Sequence, residues 1–147
     1  MSSSLELNSI RERILRKAVA RLESAVAPIP VIRAPSVPVT RENSPALLVF
    51  AESDSITAHA NNLVDRLLVI RVVAVARGEG AIGQADLAMV AAHAGLMSDT
   101  NLDGLALALR EIDCEWDQEE ADAGALALPA RYEIRYRTHI LDLTRTG

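Results

Sequence analysis

Residues 126–140 alternate between apolar and polar side chains almost without a break. Successive side chains of a β-strand point to opposite faces of the sheet, so this pattern predicts a long, half-buried strand with a charged outer face. The inward parity comprises Leu126, Leu128, Ala130, Tyr132, Ile134, Tyr136, Thr138 and Ile140. The outward parity includes Arg131, Glu133, Arg135, Arg137 and His139. A strand of this length in a small protein predicts a sheet shared with other elements and often an assembly.

The size and charge of the chain restrict the classes of protein to consider. With 147 residues, it is long enough for one domain with a real core, and we assign residues 1–147 to that domain. A formal net charge of −5 argues against nucleic acid held by a basic surface. A single cysteine, Cys114, excludes an internal disulfide framework. The first 15 residues lack an apolar core of signal-peptide length, and the most apolar run carries three charges, so we expect a cytoplasmic protein without a membrane span.

The N-terminal third predicts one helix and then short strands. Ser9 and Glu12 fit a capping box that opens a helix with apolar residues at helical spacing, and Pro28 and Pro30 end it. Five prolines between residues 28 and 45 restrict any strand there to a short or edge position, with 31–33 and 37–40 as candidates. Residues 46–51 predict a clean apolar strand. The polar residues 52–62 predict a loop or the frayed start of the next strand.

Residues 63–77 predict a second long strand with apolar side chains on both faces. Such a strand is covered on both faces, and part of the cover could come from a second subunit. Val69 and Val73 lie on its odd face and are therefore candidate subunit-interface residues. After a glycine turn, residues 84–97 predict a helix with one narrow apolar stripe. That stripe consists of Leu87, Val90, Ala91, Ala94 and Met97.

Residues 105–117 predict a third long strand in which the apolar side chains move from odd to even positions near Arg110. Leucines occupy odd positions before the change, whereas Ile112, Cys114 and Trp116 occupy even positions after it. Either a bulge redirects the strand, or its second half is buried against a different partner. Ile112 and Trp116 are therefore also candidate interface residues, and Cys114 is expected to be a small buried side chain.

The order of elements predicts an α+β domain. The predicted order is a helix, short strands, a long strand, a second helix and two further long strands. This order implies an antiparallel or mixed sheet, with two main helices packed on one face and a long C-terminal hairpin.

An acidic run accompanies the third strand and the turn after it. A solvated outer face is one interpretation of this run. The other is a negative lining, at a rim or lumen, that DNA passes without adhering. Its members are Glu111, Asp113, Glu115, Asp117, Glu119, Glu120 and Asp122.

The segment Gly78-Glu79-Gly80-Ala81-Ile82-Gly83 matches the G-x-G-x-x-G pattern of dinucleotide-binding loops and lies between a strand and a helix. A small nucleotide-binding protein or enzyme using this loop is thus the alternative function. However, antiparallel strands follow the helix where further βαβ units are needed, and Glu79 would repel a pyrophosphate. His59, His93, His139 and Cys114 show no metal-ligand spacing, and no nucleophile motif is present, so we expect no catalytic residues, cofactor or metal.

Several short motifs resemble those of phage tail terminator proteins. Leu96-Met97-Ser98-Asp99 and Leu102-Asp103-Gly104-Leu105 are similar to that family's passage from a helix into a long strand. Tyr136-Arg137-Thr138 is similar to the end of its last strand. The opening Ile10-Arg11-Glu12-Arg13-Ile14-Leu15, the proline-rich passage and Ser44-Pro45-Ala46-Leu47-Leu48-Val49 fit the same layout, so the resemblance spans nearly the whole chain.

The resemblance implies a structural virion protein without a cofactor. Tail terminators form a hexameric ring that caps the tail tube, stops its polymerisation and joins it to the head or connector. The expected partners are then copies of the same chain, the tail tube protein and a head-completion protein, with DNA only in passage. The expected location is the virion tail or neck, after assembly in the host cytoplasm. A neighbouring neck or tail-completion protein, or a gene-transfer-agent version, fits the same motifs.

Overall fold

The computed structural model describes residues 8–33, 44–114 and 125–146. In chain order, the elements are α1 (Ile10–Val26), β1 (Val31–Arg33), β2 (Ala46–Ala60), β3 (Leu63–Arg77), α2 (Ala81–Leu96), β4 (Ala108–Asp113) and β5 (Ala125–His139). No helix in these ranges is long and apolar enough to cross a membrane.

The five strands form one mixed sheet in the order β1-β2-β3-β5-β4. Only β1 and β2 run parallel, and every other neighbouring pair is antiparallel. The two longest pairings join β3 to β2 and to β5, so the most apolar strand of the sequence lies at the centre. The predicted α+β class is confirmed, and β4 and β5 form the expected C-terminal antiparallel pair.

The two helices lie together on one face of the sheet and enclose the core. The Ser9 side chain caps α1 by accepting a hydrogen bond from the Glu12 amide at 3.1 Å, as the capping box predicts. The even side chains of β3 from residue 68 onwards are buried in the core: Leu68, Ile70, Val72, Ala74 and Ala76. Tyr132, Ile134 and Tyr136 of β5 are buried beside them, whereas Arg135 is exposed. The predicted inward and outward faces are confirmed for residues 130–138, whereas Pro129, predicted to face outward, is buried, and Ile140, beyond the end of the strand, is exposed.

Residues 52–62 are neither a loop nor the start of the next strand, because β2 continues to Ala60 and pairs with the first half of β3. Asn61 and Asn62 make the connecting turn, and Asn61 adopts a φ of 57°, which asparagine tolerates well. The strand was missed because β1 covers β2 only at residues 47–49. Beyond that point β2 lies at the edge of the sheet formed by the described residues, and its exposed side chains are mostly polar for that reason. Two register irregularities interrupt this edge, a common device against unwanted strand pairing.

The predicted apolar stripe of the second helix is wrong at Leu87, Val90 and Ala94, which are exposed, whereas Ala91 and Met97 are partly buried against the core. The side chains of α2 that face the core are small ones, namely Ala85, Ala88 and Ala92, followed by Leu96. Leu87 and Val90, which the stripe placed inside, are exposed. The helix also begins three residues earlier than expected, at Ala81.

The third predicted strand is shorter than expected. Residues 105–107 belong to the turn region before β4, and the strand starts at Ala108. A register irregularity lies between Glu111 and Asp113, so the predicted bulge occurs at Ile112, two residues after Arg110. Cys114 is exposed, contrary to the expectation of a buried thiol, and donates a hydrogen bond to the Pro129 carbonyl oxygen at 2.6 Å. The candidate strand at residues 37–40 lies outside the described residues.

The segment after β5 folds back onto the start of α1. The Ile10 amide donates to the Leu143 carbonyl oxygen at 2.8 Å, and Arg13 Nη2 donates to the Thr144 carbonyl oxygen at 2.6 Å. Free amides at the first turn of a helix need such acceptors. The last described residues therefore contribute to the cap of the first helix.

Candidate functional site

The face of the sheet opposite the helices carries a set of ion pairs between neighbouring strands. Arg131 of β5 lies at its centre, with Nε 2.8 Å from Glu52 Oε1 of β2 and Nη1 2.7 Å from Asp113 Oδ2 of β4. In the register of the sheet, Arg131 stands directly beside Arg71 of β3. The carboxylates on either side compensate for the proximity of these two positive charges. Hydrogen bonding to Glu52 is the largest cause raising the pKa of Arg131.

The same face continues with further pairs, and we call it the ion-paired face. Arg137 Nε lies 2.6 Å from Asp65 Oδ1, and this contact lowers the pKa of the Asp65 carboxyl. Arg110 pairs with Glu133 across β4 and β5, and the Arg71 guanidinium lies 5.2 Å from the centre of the Phe50 ring. Most of these arginines thus have a carboxylate partner. The ion-paired face consequently offers phosphate groups little uncompensated positive charge.

The four candidate interface residues lie in different environments. Val69 and Val73 are on the ion-paired face at the centre of β3, but they are only 8% and 3% exposed within one chain. Ile112 is partly buried at the bulge of β4. Trp116 lies outside the described residues. Their participation in a subunit interface stays a prediction.

Two of the seven candidate acidic residues are described. Glu111 is exposed on β4, whereas Asp113 forms the ion pair with Arg131. Glu115, Asp117, Glu119, Glu120 and Asp122 lie outside the described residues. Pairing compensates the charge of Asp113, so of the two described acids Glu111 is the better candidate for a repulsive lining.

The glycine loop lacks the features of a dinucleotide site. Gly78 and Gly80 have φ values of 88° and 77°, so the tight turn explains both glycines. A Cβ built at Gly83 would meet nothing within 4 Å, whereas the third glycine of the dinucleotide motif permits close helix–strand packing. The strand before the loop also has antiparallel neighbours on both sides, not the parallel neighbour that a βαβ unit supplies.

A cleft of about 260 Å³ between α2 and the β4–β5 pair was not predicted from the sequence. His93 Nδ1 lies 2.9 Å from the Tyr132 hydroxyl, and Asp86 and Glu111 line the same cleft. Burial is the largest cause that raises the pKa of Tyr132 well above its usual range, so the phenol stays protonated. Within the described ranges, no group of three or more His, Cys, Asp or Glu side chains could hold a metal ion. The contact with Tyr132 therefore explains His93 as a structural residue.

Two exposed apolar surfaces were missed as well. The first, which we call the α2 outer face, consists of Ile82, Leu87 and Val90, which are 72%, 71% and 61% exposed. The second, the C-terminal apolar turn, consists of Ile140, Leu141 and Leu143, with Leu141 87% exposed. The signal for the first was present in the sequence, since a helix without Lys or Arg has too little polar surface for a solvated face.

The α+β fold of this chain is shared with a protein of known structure. The chain is similar to a chain of the "Virion of native gene transfer agent (GTA) particle", with a TM-score of 0.53 and 13% sequence identity. The similarity covers 86% of this chain and 90% of that chain. At this identity it shows the fold. No protein-family model and no curated protein sequence matches the chain.

Proposed function

We propose that this protein is a structural component of a phage-like virion that terminates the tail. In this proposal, six copies form a ring that caps the tail tube, stops its polymerisation and provides the joint to the head or connector. The observation that carries the proposal is the shared fold with a gene transfer agent virion chain across nearly the full length of both chains. The tail-terminator motifs at residues 96–105 and 136–138 support the same role.

The charge distribution supports a protein that DNA passes without being held. The net charge is −5, and the arginines of the ion-paired face largely have carboxylate partners. In the proposed ring, the acidic residues from Glu111 to Asp122 lie near the rim or lumen, where negative charge limits adhesion of DNA. The other partners are the tail tube protein and a head-completion protein, and no cofactor or enzymatic activity belongs to this role.

The decisive experiment removes the gene from the genome that encodes the particle and restores it in trans. We expect deletion to give tails of uncontrolled length that do not join heads, and we expect the wild-type gene to restore joined particles. Electron micrographs of the released particles provide the measurement. Normal particles after deletion would contradict the proposed function.

Two sets of variants test the finer predictions in the same system. Trp116→Asp is expected to block ring formation and to leave tails of uncontrolled length, while circular dichroism still reports a folded chain. Glu119→Lys combined with Glu120→Lys is expected to leave the ring intact but to impair DNA passage. If Trp116→Asp gives normal rings and tails, the interface does not include this side chain.

A further inference from the structure

The helix α2 is apolar on both sides, although only one side contacts the core. Its inner side presents Ala85, Ala88 and Ala92 to the sheet and to α1. Its other side, the α2 outer face, exposes three large aliphatic side chains, and Gln84 and Asp86 are the polar residues that accompany them. A helix that is apolar all round is normally buried, so this face is expected to be covered in the working form of the protein.

The C-terminal apolar turn is a separate surface fixed at another place in the fold. The Ile140 amide donates to the Asn62 carbonyl oxygen at 2.7 Å, which holds the turn beside the Leu63 end of β3. The α2 outer face begins instead just beyond the Arg77 end of that strand, roughly 45 Å away at about 3.3 Å per residue. Both surfaces are exposed, so neither covers the other within one chain.

The charges around the two surfaces are complementary. Glu79 and Asp86 are exposed beside the α2 outer face, and neither forms an ion pair with another described residue. Arg145 is exposed beside the C-terminal apolar turn, and within the described ranges it forms no ion pair either. The nearby Asp142 carboxylate accepts hydrogen bonds from the Thr144 amide and hydroxyl, at 2.9 and 2.7 Å. These bonds lower the pKa of Asp142, and the charge of Arg145 adds to their effect, so Arg145 is partly compensated. A contact between the two surfaces would bring exposed acids towards this exposed arginine while it buries aliphatic side chains from both sides.

We propose that the α2 outer face of one copy docks on the C-terminal apolar turn of a second copy. The contact joins two different patches, so each copy keeps one patch free for a further neighbour, as closed cyclic rings require. The proposal rests on the proposed ring function and assigns one contact between neighbouring copies in the ring. It differs from the interface predicted around Val69, Val73, Ile112 and Trp116.

A pair of charge variants tests the contact by sedimentation of the full chain. Leu87→Asp and Leu141→Asp each place a carboxylate in one patch and are expected to weaken self-association by at least about thirtyfold. An equimolar mixture of the two variants retains one intact contact and is expected to form a complex of two subunits that grows no further. Leu107→Asp is the matched control, because Leu107 is 54% exposed outside both patches. We expect it to associate like the wild type.

A charge exchange tests the polar part of the contact. Asp86→Arg and Arg145→Asp are each expected to weaken association by about two- to fivefold, and the double variant is expected to restore it. If the mixture of aspartate variants gains nothing over either variant alone, the contact is not head-to-tail. Wild-type protein that remains monomeric up to about 1 mM would also overturn the proposal.

The same variants separate this proposal from the proposed function. If deletion of the gene gives unjoined tails but Leu87→Asp and Leu141→Asp both restore normal particles, the ring function stands and the assigned contact is wrong. If deletion has no effect on particles, the proposed function fails whatever the association measurements give.

Discussion

A close contact between the two helices predicts an unusual response to adding a methyl group. Gly95 of α2 faces α1, and a Cβ built on Gly95 would overlap the Cβ of Ala25 and lie 3.4 Å from the Arg21 carbonyl oxygen. The Ala25 methyl is attached to the backbone and cannot rotate away. Gly95→Ala therefore requires the helices to separate by on the order of 1 Å to reach normal carbon–carbon distances.

Two opposing effects set the size of the loss. Alanine is favoured over glycine in a helix by about 1 kcal/mol, whereas overpacking a well-packed contact costs typically about 1–3 kcal/mol. The overlap involves backbone-fixed atoms on both helices, so we expect the packing cost to exceed the helix gain. The net result is a lower free energy of unfolding. Each kcal/mol lost should lower Tm by about 2–4 °C for a chain of this size.

Chemical denaturation followed by circular dichroism measures this effect, and two variants make it specific. Gly83→Ala lies in the same helix with nothing within 4 Å of the added Cβ, so it should gain about 0.5–1 kcal/mol. Ala25→Gly combined with Gly95→Ala moves the methyl from one helix to the other and should show a favourable coupling energy of about 1–3 kcal/mol. If Gly95→Ala stabilises the protein as much as Gly83→Ala does, the packing argument is refuted.

Three further predictions concern the core, the pH dependence and the glycine loop. Ile134→Ala, at a fully buried position, should lower the free energy of unfolding by about 2–5 kcal/mol in urea, and a loss near zero would show that the strand face is reversed. The bidentate contact with Arg33 lowers the pKa of Glu12 to about 2 in the folded chain, so its stabilisation is present above the unfolded pKa of about 4.5 and is lost as pH falls towards 2. Glu12→Gln should accordingly reduce the decline in Tm between these pH values, and an unchanged decline would contradict that assignment. Isothermal calorimetry should detect no saturable binding of NAD or ATP, and binding that Gly80→Val abolishes would overturn the non-enzymatic interpretation.

The sequence predicted best the strands that have one solvent-exposed face and one buried face. The alternation in β5 could be recognised because Tyr132, Ile134 and Tyr136 are buried in the core while the charged residues between them lie on the opposite face. The second half of β2 was missed because an edge strand with both faces exposed has no apolar alternation. In α2, the large apolar side chains of Leu87 and Val90 led to the wrong side of the helix being predicted as buried. Close approach to α1 and to the sheet selects alanine and glycine for the buried side, as the contact of Gly95 with Ala25 illustrates.

The contacts of the candidate site were harder to predict from the sequence than the strands were. The charged parity of β5 was predicted, but the partners Glu52 and Asp113 of Arg131 depend on the register of three strands. Likewise, the proximity of His93 to Tyr132 depends on how α2 lies on the sheet. Sequence spacing carries no information on either, because the residues involved are far apart along the chain.

The cap of α1 by the end of the chain has a consequence for the order of folding. Arg13 and its acceptor Thr144 are 131 residues apart, and the central strand β3 finds one of its two long partners only in β5. Contacts between residues so far apart in the sequence slow folding, because the entropy cost of closing a long loop comes before the contacts that stabilise the closed chain. During synthesis, α1 is made well before Leu143 and Thr144, so its cap is complete only after these two residues have been added. We therefore expect the domain to become native in one late, cooperative step, so that partly made chains do not present the finished surface for premature association.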